Sequence, residues 1–132
     1  MNDTTLSSVM GGRMNIINGV VYIRVPRRDP FVLSGAPVEE SAVPASMIIM
    51  DQPTAQGART LFDVAVLPSE AAGVFDILRN TDGVQITGVN SRRSEMAPEV
   101  TYIHGSAIGD STAVVTAIRK AINKTNSEGS PK

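Results

Sequence analysis

His104 is the one histidine in the chain. Imidazole is the side chain best suited to move a proton or anchor a ligand near neutral pH. It lies in residues 84–107, VQITGVNSRRSEMAPEVTYIHGSA, which read as a strand, a polar loop and a second strand. The loop carries Arg92 and Arg93. Guanidinium groups present a fork of donors that grips carboxylate or phosphate oxygens. Each function has a plain structural alternative: an imidazole hydrogen-bonded within the hairpin, and loop arginines that are simply solvated. Glu95 and Glu99 flank the turn and either can pair with an arginine. Nothing sets the separation that a paired-carboxylate mechanism needs.

Asp63 is a further candidate. In TLFDVAVL, residues 60–67, Phe62, Val64 and Val66 share one strand face. Asp63 falls on the other, with Leu61, Ala65 and Leu67. From there it can line the same cleft as His104 or serve a turn or strand end. Arg27 and Arg28 sit in the corner PRRDP, residues 26–30, which is stiff because each proline fixes φ and restricts its predecessor. A structural salt bridge is the favoured reading there. The absence of cysteine excludes disulfides, thiolate metal sites, a cysteine nucleophile and a lipid-modified cysteine. The glycines lack the spacing of a phosphate-binding loop, and there is no Gly-x-Ser-x-Gly nucleophile elbow. A histidine-based triad can form only around His104. The six methionines mostly fall on core-like positions.

These residues need a scaffold to hold them. Val20 to Val25, VVYIRV, is rich in β-branched residues and fits a strand after the Asn18-Gly19 turn. A short strand at Phe31 to Leu33 precedes Ser34-Gly35, and residues 36–45 read as an acidic surface loop. Ser46 to Asp51 and Thr60 to Leu67 are two more strands. Pro68-Ser69-Glu70 opens a helix whose buried stripe is Ala71, Val74, Phe75 and Leu78. Val84 to Asn90 and Val100 to Ala107 form a hairpin. Asp110 or Ser111 caps a second helix, with Val114, Val115, Ile118, Ala121 and Ile122 on its apolar stripe.

The expected fold is α+β: a mostly antiparallel sheet with two helices on one face. It contains a ferredoxin-like βαββα unit preceded by N-terminal strands, with Ser46 to Asp51 supplying an edge. Residues 1–12 are expected to be flexible, 13–124 a single domain and 125–132 a disordered tail. The hairpin strands carry apolar residues on both alternating faces, and two helices cover only one. The other face then needs a partner layer, from the N-terminal strands or from a second copy in a homodimer.

The totals narrow the function classes. The chain has 132 residues, enough to bury a core without disulfide or metal. A net charge of −1, from 12 basic and 13 acidic residues, leaves no electrostatic footprint for nucleic acid. Aromatics at 4% give no base-stacking platform. No apolar run reaches membrane-spanning length, and the start lacks a secretory signal pattern, so a cytoplasmic location is expected.

Three segments carry a family resemblance. They are NGVVYIRVPRRD, then LFDVAVLPSEAAGVFDILRNTDGVQITGV, then PEVTYIHGSAIGDSTAVVTAIRKAI. In this order and spacing, from roughly Met10 to Ile122, the chain resembles the LppY/LpqO bacterial lipoprotein family. Members commonly repeat the unit and are secreted or lipid-anchored, and their function is not established. The family's His-Asn-His run aligns with Asn90, Ser91 and Arg92, and a later histidine aligns with His104. Asp63 matches a family aspartate. Residues i and i+2 on a strand share a face, so with a turn near Ser94 to Pro98, His104 falls opposite position 88 or 90. Three histidines there converge as an open metal site requires, so the resemblance implies a metal site in ordinary members. This chain keeps one of the three, with Asn90 a poor ligand and Arg92 repelling a cation.

The resulting expectation is a diverged, single-unit, cytoplasmic relative with no metal and no cofactor. Its ligand-binding residues are Asn90, Arg92, Arg93, Asp63 and His104, and its ligand is a small anionic molecule. A small isomerase, cyclase or lyase using His104 as acid-base is the alternative. A structural or interaction protein with a decayed site is the third reading.

Overall fold

The computed structural model describes residues 9–51, 58–91 and 96–131. A hairpin comes first. Strands β1 (Arg13–Ile17) and β2 (Val20–Pro26) are joined by Asn18 and Gly19, with φ of 52° and 78°. Those paired positive values suit the two-residue turn that matches strand twist, and Asn-Gly is its usual sequence. Two short strands follow, β3 (Val32–Leu33) and β4 (Ala36–Pro37), and then a 3-10 turn at Glu40–Ala42. The longer strands are β5 (Ala45–Asp51), β6 (Ala58–Val66), β7 (Val84–Ser91) and β9 (Thr101–Gly109), with a short β8 (Met96–Ala97) before the last. Helix α1 (Ala71–Arg79) links β6 to β7, and α2 (Ser111–Ile122) follows β9.

The main sheet runs β1-β2-β5-β6-β9-β7, antiparallel at every pairing. Strands β4, β3 and β8 form a second, three-stranded sheet. The architecture is therefore α+β and mostly antiparallel, with two helices.

Alternation along the strands decides which face those helices cover. Val21, Ile23, Ile48, Met50, Phe62, Val64 and Ile103 project to one side and are essentially fully buried. They meet Val74 and Leu78 of α1 and Val114, Val115, Ile118, Ala121 and Ile122 of α2 in one core. Each such side chain contributes about 1.5–3 kcal/mol through its burial. The apolar periodicity thus places both helices on the same face. Asp110 starts α2 as expected, its carboxylate accepting the Ala113 N–H at 2.9 Å.

The opposite face is only partly covered. Phe31, Val38, Val43 and Met96 pack over Ala65, Val100 and Tyr102 at one end. The N-terminal strands β1 and β2 make no second layer. They extend the main sheet, because their polar and apolar residues alternate in phase with β5.

The PRRDP corner is a buried ionic joint. The Arg27 guanidinium donates to Asp29 Oδ1 at 2.8 Å, to Glu70 at 2.7 and 3.0 Å and to the Ala65 carbonyl at 2.9 Å. Burial alone would lower its pKa, but the hydrogen bonds and charges of Glu70 and Asp29 outweigh that and hold it above the usual value. Glu70 also accepts the N–H groups of Leu67 and Asn126.

Two expectations are corrected here. Residues 125–131 are packed, not disordered. Thr125, Ser127 and Ser130 are buried, and Ser127 pairs with Arg27 in an isolated bridge. Their hydroxyls are satisfied: Thr125 donates to the Ile122 carbonyl and Ser130 accepts from Arg119. At the other end Met10 is fully buried in the core, so the ordered chain begins before residue 13, while residues 1–8 lie outside the described residues. Arg119 reaches both ends, donating to the Met10 carbonyl and to Ser130 Oγ. Burial and then the charge of Arg28 lower its pKa.

Candidate functional site

The helix-free face of the main sheet carries the chemistry. Register places Asp63 directly opposite His104 on β6 and β9, and Gly88 opposite His104 on β7. The row continues across the sheet through Met47 and Arg24 to Arg13. A neighbouring row reads Tyr22, Ile49, Leu61, Ser106 and Gln85.

His104 Nδ1 and Asp63 Oδ1 are in hydrogen-bonding contact. An ionised carboxylate only accepts, so Nδ1 carries the proton and donates. The lone pair of a neutral ring is then left on Nε2. That atom is buried and has no hydrogen-bond partner among the described residues. The two side chains are 30% and 41% exposed, so solvent screens the pair and its net contribution to stability is small, about 0–1 kcal/mol. An unsatisfied buried polar atom costs about 1–3 kcal/mol. The arrangement is therefore a poor stabilising device. It holds an imidazole in one tautomer with a basic nitrogen unused.

Gly88 opens the space beside the ring, since a Cβ there would meet nothing within 4 Å. Gly105, the next residue after His104, is glycine for another reason. A Cβ there would come within 2.3 Å of the Phe62 ring and 2.7 Å of the Gln85 carbonyl oxygen. The Phe62 ring thus lies over the backbone that carries His104.

Asn90 lies opposite Tyr102, one row along from His104 on the same face, and is exposed. Arg92 and Arg93 lie outside the described residues, as does Glu95. Of the expected set, the structure brings together Asp63 and His104, with Asn90 close by in register. The adjacent Ser91 hydroxyl is 3.0 Å from Thr101 Oγ1.

Two depressions adjoin this row. One, of about 390 Å³, is lined by Arg24, residues 41–45, Met47, Asp63 and Tyr102. The other, of about 160 Å³, is lined by Met47, Ile49, Leu61, Phe62 and Asp63 and is mainly apolar. Asp63 and Met47 form the wall between them. Larger hollows of about 630 and 610 Å³ lie on the helix side around Asn123 and Lys124, away from the acid-base pair.

Arg24 was not among the residues singled out from the sequence. Its Nη2 donates to the Val43 carbonyl at 2.8 Å and the Glu40 carbonyl at 3.2 Å. The Glu40 carboxylate pairs with Arg13 instead. A lone arginine in VVYIRV carries no sequence signal beyond its strand face. Only the register shows that it shares a row with Asp63.

The three-histidine set implied by the resemblance does not fit a cation here. The described donors are the Asn90 amide and an imidazole already held through Nδ1, and residue 92 is an arginine. Among the described residues, no three of His, Asp and Glu gather.

Residues 4–124 match the family described as Domain of Unknown Function (DUF1259). The chain belongs to that family. No curated protein and no solved structure matches. Among the described residues no helix is long and apolar enough to cross a membrane.

Proposed function

We propose that this member of the DUF1259 family is a small-molecule binding domain that takes an anionic ligand on its helix-free sheet face, around His104. The observation that carries this reading is the buried Nε2 of His104, without a partner among the described residues and held by Asp63 beside open space at Gly88; as the neutral ring's acceptor it takes a donor group of the ligand, whose anionic end falls to the arginines. Asn90, Arg92 and Arg93 belong to the same proposed pocket, the arginines on the strength of their donor chemistry. A thermal-shift screen over small carboxylates, phosphates and divalent metals tests it, alongside elemental analysis of the purified protein. Stabilisation by anions that disappears in His104→Ala and Arg92→Ala is expected. Stoichiometric metal, or no response to any anion, overturns the reading.

A second reading is a small isomerase, cyclase or lyase. The Asp63–His104 pair favours it, because an imidazole with Nδ1–H held by a carboxylate presents Nε2 as a base. His104→Ala then abolishes turnover, whereas a binder loses only affinity.

The partner reading is a homodimer through the same face, where Ile17, Leu61 and Ile108 are exposed. We further read the chain as a diverged relative of the LppY/LpqO lipoproteins. A cytoplasmic location goes with its cysteine-free composition. The strand order β5-β6-β9-β7, with α1 in the β6-to-β7 crossover and α2 after β9, supports a ferredoxin-like unit within the fold.

A further inference from the structure

We propose that Arg24 is the anion-holding group of this face, and that the ligand is a small carboxylate bearing a hydrogen-bond donor at its other end. The inference deepens the ligand-binding reading and rests on it. Arg24 lines the 390 Å³ hollow, whose size falls in the range of small-molecule sites. Two backbone carbonyls fix one end of its guanidinium. Among the described residues it has no carboxylate partner, because Glu40 is taken by Arg13. Its Nε–H and Nη1 donors, on different edges of the guanidinium, each remain available for a single charge-assisted hydrogen bond to a carboxylate oxygen.

The far wall supplies the complementary chemistry. Asp63 presents Oδ1 to His104, and among the described residues no hydrogen bond occupies its Oδ2. A carboxylate oxygen accepts only, so it selects a hydroxyl or ammonium donor and repels a second anionic group. Met47, between Arg24 and Asp63 in the same row, gives an apolar floor. Arg24 and Asp63 stand two strand spacings apart, roughly 10 Å between backbones. Both side chains line the same hollow, so a ligand of a few carbons can span from one to the other.

The test uses the full chain, isotopically labelled, titrated with butyrate, 4-hydroxybutyrate and 4-aminobutyrate and followed by nuclear magnetic resonance. The expected result is movement of the Arg24 Nε–H signal and of the Met47 and Asp63 amides, with the donor-bearing probes at least threefold tighter than butyrate. Arg24→Gln weakens all three probes at least tenfold. Arg24→Lys, which keeps the charge but not the planar group anchored by the two carbonyls, falls between. Asp63→Ala erases the preference over butyrate. Shifts confined to His104 and Asn90, with Arg24→Gln and Arg24→Lys without effect, overturn this inference and leave the ligand-binding reading standing. No shift at either place counts against both. The titration of the unsubstituted protein decides the matter even if Arg24→Gln does not fold.

Discussion

Asp63 and His104 occupy directly opposed positions on β6 and β9, and the carboxylate takes the Nδ1 proton of the ring. The pair is too exposed to add much stability, so its effect is to choose a tautomer. Asp63→Ala is expected to change stability by less than about 1 kcal/mol. It should also release the ring from the Nδ1–H form. Long-range proton–nitrogen correlations of the imidazole read the tautomer directly. An unchanged spectrum would show that Asp63 does not orient the ring.

Arg27 is the opposite case. Its side chain is fully buried between Asp29 and Glu70, which are themselves only 11% and 14% exposed. Arg27→Met leaves two mostly buried carboxylates without their cation. A loss of about 3–5 kcal/mol is expected in denaturant unfolding. The raised pKa means that Arg27 contributes fully below its unfolded-state value and loses that contribution only as pH rises through the folded one. Both lie above the working range, so the Arg27→Met deficit should not vary between pH 7 and pH 9.

Gly105→Ala should destabilise by about 1–3 kcal/mol or more, since the added methyl meets both the Phe62 ring and the Gln85 carbonyl oxygen. The double change Phe62→Leu with Gly105→Ala recovers only the part due to the ring. Thermal unfolding of the single and double variants separates the two contacts.

If the helix-free face pairs two copies, sedimentation should give a species of twice 13.9 kDa. Leu61 is 50% exposed at the centre of that face. Leu61→Glu should then return the protein to its single-chain mass with little loss of fold stability. A single-chain mass for the unsubstituted protein removes the dimer.

The strands and helices were legible because apolar spacing alone carries them: Phe62, Val64 and Val66 in one strand, Val114 and Ile118 in one helix. Asp63 could be put on the correct face by alternation. Its partner could not be found that way. The contact with His104 depends on β9 inserting between β6 and β7 and on the β6–β9 register that follows. Strand β1 was missed although Asn18-Gly19 marked its hairpin. Asn15 and Arg13 diluted the apolar signal of Arg13–Ile17, a mostly exposed edge strand. The tail misled for a different reason. Composition counts Thr125, Ser127 and Ser130 as polar, and cannot see that the fold satisfies their hydroxyls. Arg24 stayed hidden because its meaning lies in the three strands beside it.

The contact between Arg119 and the Met10 carbonyl joins positions 109 residues apart. It bears on the order in which a growing chain can assemble. The hairpins β1–β2 and β5–β6 pair close neighbours and can form as soon as they emerge. Their apolar faces, with Val21, Ile23, Ile48 and Met50, stay uncovered until α2 has been made. During synthesis this protein therefore passes through a bare half-sheet, and that interval is when it is most open to chaperones and to self-association.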